Sequence, residues 1–361
     1  MEKVIWLNAS LSQGGSERVM SILANAFAEA GLDTQMVLLR EGKEDIYPVS
    51  EQLKLIRFHY HTKNKLLILL KRFKQLRHLV KTEKPDYLIS FMWDINAFTL
   101  ICCLGLHQKI IISERGHPKM GHLGLVREIS QNWLYRLAYR IVFQTEDVAK
   151  YYPEAVQKKA VVIPNPINSS LPEPFNGERK KEIVSAGRLT DQKNFSLLLR
   201  SFSDFYKDHR DWWLTIYGEG PLRENLKEEA KRLRIENNFS LPGFVNDLPK
   251  SILTAGMYVN SSNFEGISNV MLEAMAVGLP CICTDCPVGG AALTIQNCIN
   301  GILIPVNNQE ALSSAMCRIA DEATFSKQLQ IEAVKVRERF SIRKITQAWM
   351  KLCHIQQEQQ E

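Results

Sequence analysis

Short apolar runs alternate with segments of helical period over nearly the whole chain, and that alternation leaves little besides stacked βαβ units around parallel sheets. Lys3–Asn8 reads as a first strand, and Gly14-Gly15 follow it. Val19, Met20, Ile22, Leu23, Ala26, Phe27 and Ala30 then recur at helical spacing until Gly31 supplies a stop. Residues 36–39, 87–91, 110–113, 141–144 and 161–163 are further strands by the same reading. The alternation breaks once, where Pro164, Pro166, Pro172, Pro174 and Asn176-Gly177 form a stretch that neither a helix nor a central strand tolerates. It restarts with strands at 183–186, 213–217, 239–241, 257–260 and 280–284 and helices at 194–207, 221–233 and 269–277, and it ends helical over 310–320, 325–339 and 342–353.

The expectation is an α/β chain with a first Rossmann-like domain over 1–165, a linker over 166–182 and a second such domain over 183–340. A final helix and polar tail over 341–361 would pack back on the first domain. Open parallel sheets bind ligands beyond the carboxyl ends of their strands, so two such domains are expected to face across a cleft with the chemistry on loops that follow strands.

Composition narrows the class. The 361 residues are 45% hydrophobic and 23% charged, as in an ordinary globular protein. No run reaches the roughly 18 consecutive apolar residues of a membrane span, and 97–106 is the longest candidate. Polar Asn8 ends the first apolar run too early for a signal peptide, so a cytoplasmic location is expected, with peripheral attachment to the inner face of the plasma membrane as a further expectation. The eight cysteines lack metal-ligand spacing and read as reduced packing residues, those at 281, 283 and 286 included.

The net charge of +6 is concentrated between Lys54 and Lys84, where ten Lys or Arg residues stand against the single acid Glu83. Leu66, Leu67, Ile68, Leu69, Leu70, Phe73, Leu76, Leu79 and Val80 share the stretch, so much of it suits a basic amphipathic helix. An anionic membrane surface and a plain solvated face both remain open readings. Nucleic acid is not expected, because no interleaved aromatic stacking pattern supports it.

Two constellations carry chemistry. In residues 183–195, Arg188 and Lys193 lie in a loop between a strand and a helix capped by Asn194. A departing diphosphate gains charge as a glycosyl bond breaks, and two fixed cations with helix N–H groups can stabilise it without a metal. In residues 264–276, Glu265 stands at the mouth of a helix and Glu273 eight residues on, a little over two helical turns, so both carboxylates can face one side. Ionised carboxylates accept from paired hydroxyls, which suits a sugar and a ribose, and the amides of Ile267, Ser268 and Asn269 would add a phosphate cradle. Tyr217-Gly218-Glu219-Gly220 imitates a dinucleotide fingerprint but lacks its third glycine.

With these residues in view the chain resembles the GT-B glycosyltransferases of family 4, a group of retaining enzymes. The resemblance rests on Gly-Gly-Ser-Glu-Arg-Val-Met after the first strand, Ile-Pro-Asn-Pro-Ile at 163–167 and Gly-Arg-Leu-Thr-Asp-Gln-Lys-Asn at 187–194. Tyr-Gly-Glu-Gly-Pro-Leu-Arg at 217–223, Leu-Pro-Gly-Phe-Val at 241–245, the Glu-x7-Glu segment and 300–306 complete it. It implies that Arg188 and Lys193 hold the donor diphosphate and Glu273 the ribose. Glu265 with Gly266, Ile267, Ser268 and Asn269 would hold the transferred sugar, and Phe244-Val245 the base. Gly14-Gly15 would let the first domain's backbone approach the donor, while Glu114 and Arg115, with His117 beside them, would line the acceptor side. The segment 285–293 resembles a Gly-Gly-Pro motif, but the charged residue that usually follows is absent.

The activity so implied is transfer of a hexose or N-acetylhexosamine from a nucleotide diphosphate sugar, UDP-linked by expectation, to a lipid-linked or oligosaccharide acceptor in bacterial surface polysaccharide synthesis. The nucleotide sugar is a substrate, and neither cofactor nor metal is expected; the chain contains no Asp-x-Asp. A nucleotide-sugar epimerase of the same architecture is the alternative, since it would turn over donor without acceptor.

Overall fold

The computed structural model describes all residues except 1, 13, 41–46, 117–123, 169 and 356–361 and the side chains at 125, 126 and 130. The chain divides into two units, Met1–Pro166 with Ile342–Glu361, and Ile167–Ser341.

The first unit runs β1 (Lys3–Asn8), α1 (Gly15–Glu29), β2 (Asp33–Leu38), β3 (Lys54–Arg57), α2 (Lys65–Glu83), β4 (Tyr87–Phe91), α3 (Trp93–Cys102) and β5 (Ile110–Ser113). It continues with α4 (Gly124–Trp133), β6 (Arg140–Phe143), the single turns α5 (Glu146–Ala149) and α6 (Glu154–Gln157), and β7 (Ala160–Val162). Among the described residues these strands form one sheet in the order β3-β2-β1-β4-β5-β6-β7, with every pair parallel.

The second unit runs β8 (Glu182–Ala186), α7 (Phe195–Phe205), β9 (Trp213–Tyr217), α8 (Arg223–Arg232), β10 (Phe239–Gly243), α9 (Leu248–Ile252) and β11 (Met257–Asn260). Then come α10 (Asn269–Ala276), β12 (Cys281–Asp285), α11 (Gly290–Thr294), β13 (Ile302–Pro305), α12 (Gln309–Asp321), α13 (Ala323–Ala333) and α14 (Val336–Arg339). Its sheet is also parallel, in the order β10-β9-β8-β11-β12-β13. The last helix, α15 (Ile342–Leu352), belongs to the first unit.

Strands covered on both faces must be apolar throughout, and β1, β4, β5 and β11 are buried at nearly every position. Trp6 of β1 meets the ring of Phe27 of α1 edge-on at 5.1 Å and lies 5.7 Å from Trp349 of α15, so the last helix completes the first core. The second core joins Leu198, Phe202 and Phe205 of α7 to Leu214 and Ile216 of β9 and to Leu312 and Met316 of α12.

In three stretches the structure adds to the sequence expectation. Within the 166–182 stretch, expected as a linker, Ile167 donates its N–H to the Phe340 carbonyl at 2.8 Å, Arg337 bonds the Pro172 carbonyl, and Arg179 bonds those of Leu253, Ala255 and Gly278, so residues from 167 on lie in the second unit. The helix expected over 325–339 is broken between α13 and α14. The basic stretch 54–84 begins with a strand before α2, and several of its cations turn inward: Lys71 bonds the Tyr60 carbonyl, Arg72 the Tyr60 hydroxyl and Arg77 the carbonyls of Cys102 and Leu104. Leu66, Leu67, Leu69 and Leu70 stay exposed.

In each sheet the strand order reverses once, between β1 and β4 and between β8 and β11. Loops leaving neighbouring strands there diverge to opposite faces and open a crevice at the carboxyl ends. The loops after β8 and β11, which carry both charged constellations, flank the reversal of the second sheet.

Candidate active site

The loop from β8 to α7 turns at Gly187, where φ is +156°, and the stem of Lys193 lies across that glycine: a Cβ there would be 2.7 Å from the Lys193 Cε. The loop ends at Asn194, a left-handed residue (φ 46°) whose side chain accepts the Leu197 N–H and caps α7. Its amide Nδ2 donates to Asn263 Oδ1 at 2.9 Å and to Asn307 Oδ1 at 2.7 Å, linking the loops that follow β8, β11 and β13. Asn263 donates its backbone N–H to the Gln192 carbonyl and its Nδ2 to the Asp191 carbonyl, each at 2.8 Å. Gln192 returns a bond to the Phe264 carbonyl at 3.1 Å, and the Ser261 hydroxyl bonds the Lys193 carbonyl at 2.9 Å. The two loops are stapled along their length, and their charged side chains inherit that rigidity.

At the end of the staple the Lys193 ammonium meets Glu265 Oε2 at 2.5 Å, and the Ser262 hydroxyl donates to the same oxygen at 3.1 Å. Both side chains are largely covered, 13% and 19% exposed, so the pair is screened less than a surface ion pair. Arg188, one strand end away, is exposed, and its side chain forms no hydrogen bond or ion pair among the described residues. The two cations expected to act alike therefore differ: one is held by a carboxylate and the other is available.

Glu265 sits before α10, not on it, which corrects the helical-turn argument for the two carboxylates. Its N–H donates to the Pro287 carbonyl at 2.8 Å, and a Cβ on Gly290 would lie 1.9 Å from the Gly266 carbonyl oxygen. The glycines at 289–290 thus let one backbone lie directly on the 265–267 turn, whether or not a charge follows them. Ser268 caps α10 by accepting the Met271 N–H at 3.3 Å, and Ile267 is buried beside it. Glu273, 3% exposed, is enclosed within α10's packed surface.

The Tyr-Gly-Glu-Gly turn is read out by backbone proximity. A Cβ on Gly218 would lie 2.0 Å from the Gly187 carbonyl oxygen, and one on Gly220 would lie 2.5 Å from that of Leu189. Beyond β10, Phe244 is 54% exposed and Val245 half-buried.

In the first unit Gly14 caps α1 and Gly15 is its first residue; the Glu17 carboxylate folds over Gly14, 2.0 Å from where a Cβ would stand. Glu114, expected on the acceptor side, faces inward. It is 1% exposed, accepts from the Tyr135 hydroxyl at 2.8 Å, Gln131 at 3.3 Å, Arg127 at 3.4 Å and the Gly116 N–H at 3.4 Å, and burial raises its pKa. Arg115 is half-buried, bonds Ser113 and Asn165, and lies over the Phe91 ring at 4.3 Å; burial brings its pKa down to about 9, so it stays cationic at neutral pH. His117 lies outside the described residues.

Residues 13–171 match the family model described as Glycosyltransferase Family 4, and residues 169–336 the one described as Glycosyl transferases group 1. An uncharacterized glycosyltransferase of Haemophilus influenzae is 30% identical over 347 residues, covering 94% of this chain and 96% of the relative. The chain belongs to the GT-B glycosyltransferases. A Campylobacter jejuni relative, 27% identical over 98% of each chain, is named an alpha-1,4-N-acetyl-D-galactosaminyltransferase acting on a GalNAc-containing glycan on diphospho-undecaprenol. Two solved structures share the fold: Anabaena HepE with UDP and glucose, TM-score 0.81 at 15% identity over 98% of this chain and 100% of its own, and Thermosynechococcus elongatus sucrose-phosphate synthase, 0.83 at 16% over 98% of each.

In this glycosyltransferase the sequence reading singled out Arg188, Lys193, Glu265 and Glu273 as candidates and gave no role to the residues that hold the loops together, Gln192, Ser261, Ser262, Asn263 and Asn307. The usable signal was the polar run Asn260-Ser261-Ser262-Asn263 directly after an apolar strand. No helix among the transferase's described residues is long and apolar enough to cross a membrane.

Proposed function

We propose that this glycosyltransferase is a retaining member of family 4 that moves a hexose or N-acetylhexosamine from a UDP sugar to a lipid-linked glycan acceptor. The observation that carries this reading is the stapled pair Lys193–Glu265 at the entrance to α10. It sets a cation for a diphosphate and a carboxylate for sugar hydroxyls within one bond of each other, at the strand-order reversal where ligands bind. Arg188 and Lys193 would stabilise the departing diphosphate, and Glu265 with the backbone at 266–269 would hold the sugar. Glu273 would take the ribose and Phe244-Val245 the base, with Gly14-Gly15 admitting the donor from the first unit. The acceptor hydroxyl would attack from the leaving-group face. The held Lys193 and the available Arg188 would together do the work of a metal.

Support for the donor comes from the fold shared with HepE, whose structure holds UDP and glucose. The acceptor reading draws on two Campylobacter relatives named for undecaprenol-linked substrates and on relatives named for amylovoran and lipopolysaccharide core synthesis. For a lipid-linked acceptor, the exposed leucines and remaining lysines of α2 offer an anionic membrane surface a docking face, on the inner leaflet of the plasma membrane.

The test is a heat-stability screen of UDP, GDP and ADP sugars followed by transfer assays with an undecaprenyl-diphosphate acceptor, with and without EDTA. Stabilisation by UDP sugars and EDTA-resistant transfer are expected. Conversion of donor in the absence of acceptor would favour the epimerase, and loss of turnover in EDTA restored by manganese would reject metal independence.

A further inference from the structure

The carboxyl end of α10 is held by two arginines. A helix leaves its last carbonyls without intrahelical partners, and here guanidinium groups take the carbonyl of Ala276, the last residue of α10, and those of Val277 and Gly278 that follow it. Arg337 donates Nε–H to the Ala276 carbonyl at 2.7 Å, and Arg179 donates Nη2–H to those of Gly278 at 2.7 Å and Val277 at 3.4 Å. Each arginine also grips something else. Arg337 bonds the Pro172 carbonyl, and Arg179 bonds Leu253 at 2.9 Å, Ala255 at 3.1 Å and Phe175 at 3.3 Å. Burial lowers the Arg179 pKa to about 10, which leaves it charged at neutral pH.

A helix of eight residues is about 12 Å long and behaves as a rigid rod, so displacement at one end appears at the other. Glu273 is joined directly to the held end, because its carbonyl accepts the Val277 N–H at 3.1 Å. Ser268 and the 266–269 backbone stand at the opposite end.

We propose that Arg179 and Arg337 are positioning residues of the donor site: by anchoring the carbonyls of Ala276, Val277 and Gly278 they set the axial position of α10, and with it Glu273 and the 266–269 turn. The proposal rests on the reading that the donor nucleotide binds at α10. The fork geometry matters as well as the charge, since Nε and Nη2 of one planar guanidinium reach Ala276 and Pro172 in a fixed orientation that a flexible ammonium does not impose.

The experiment measures the melting temperature and the Kd for UDP and UDP-glucose of wild type, Arg337→Met, Arg337→Lys, Arg179→Lys and Glu273→Gln. Arg337→Met is expected to weaken UDP-glucose binding about tenfold, the scale of one charge-assisted hydrogen bond, with Arg337→Lys recovering only part. A lowered melting temperature with unchanged Kd for the folded protein would show a purely structural role and overturn the proposal. If Arg337→Met does not fold, the two lysine variants decide the question by the same criterion. Glu273→Gln separates the two ideas: if it leaves nucleotide affinity unchanged while wild type binds, the donor reading fails, whereas weakened binding there with normal binding in the arginine variants refutes the positioning role alone.

Discussion

Helices α10 and α2 are built on opposite principles. Helix α10 has eight residues, too few to be stable alone, yet six in succession from Met271 to Ala276 are buried, its first turn is capped by Ser268, and its last carbonyl and the two that follow are held by arginines. Helix α2 has nineteen residues, of which only Leu76 and Val80 are buried. Its start is capped by Asn64, and its far end is tied down through Glu83, which accepts from Lys3 at 2.8 Å and from Gln35 at 3.1 Å. The leucines of its first two turns face solvent, Leu66 at 64% exposure. A short helix buried along most of its length suits groups that must be aimed, and a long one bonded along one side with its leucines left exposed suits a surface that must meet something large and soft.

The sharpest way to break this contrast is at the aimed end. Lys193→Ala is expected to lower kcat by about a hundredfold while changing the donor KM far less, because the charge matters most as the diphosphate leaves. Steady-state kinetics showing a raised KM alone would place Lys193 in ground-state binding. Gly290→Ala should come next. Its new methyl would collide with the Gly266 carbonyl, at a cost of about 1–3 kcal/mol in unfolding free energy, with donor affinity falling alongside. Unaltered denaturant unfolding would show that the 265–267 turn yields readily.

On α2 the expected effects lie in binding and leave stability nearly untouched. Replacing Lys65, Leu66, Leu70 and Lys74 with Gln should release the protein from vesicles containing anionic lipid, at about 1 kcal/mol per lysine, and change unfolding by no more than about 0.5 kcal/mol. Lys71, Arg72 and Arg77 are left intact because they bond within the first unit. Equal co-sedimentation of variant and wild type would make α2 a solvated face only.

The smallest effect concerns the anchored end. Hydrogen bonds from Lys3 and Gln35, with the nearby charge of Lys54, lower the Glu83 pKa from 4.5 to about 2. A carboxyl depressed by folding contributes stability that is complete above the unfolded value and is lost as pH falls from about 4.5 toward 2. Glu83→Gln should therefore cost roughly 1 kcal/mol near neutrality, and the two unfolding curves should converge at acid pH. A gap that persists at pH 2 would mean that packing, not charge, ties α2 to β1.

Alternation of apolar runs with helical periods was enough to reveal two parallel α/β sheets, because burying a strand on both faces and a helix on one leaves a local pattern in the chain. Arg188, Lys193, Glu265 and Glu273 stood out in the sequence for a similar reason: each belongs to a short, spaced motif, the first three in loops that follow a strand and Glu273 within the helix after one. Tertiary structure alone decided that Lys193 pairs with Glu265 across 72 residues, that Asn194 reaches Asn307 across 113, and that Glu114 turns inward toward Tyr135. It also decided that Arg179 and Arg337 converge on one helix end from chain positions on either side of it. Spacing along a chain specifies which side chains share a face of one element; which loops meet depends on the order of strands in the sheet, and strand order leaves no periodic trace in the residues themselves.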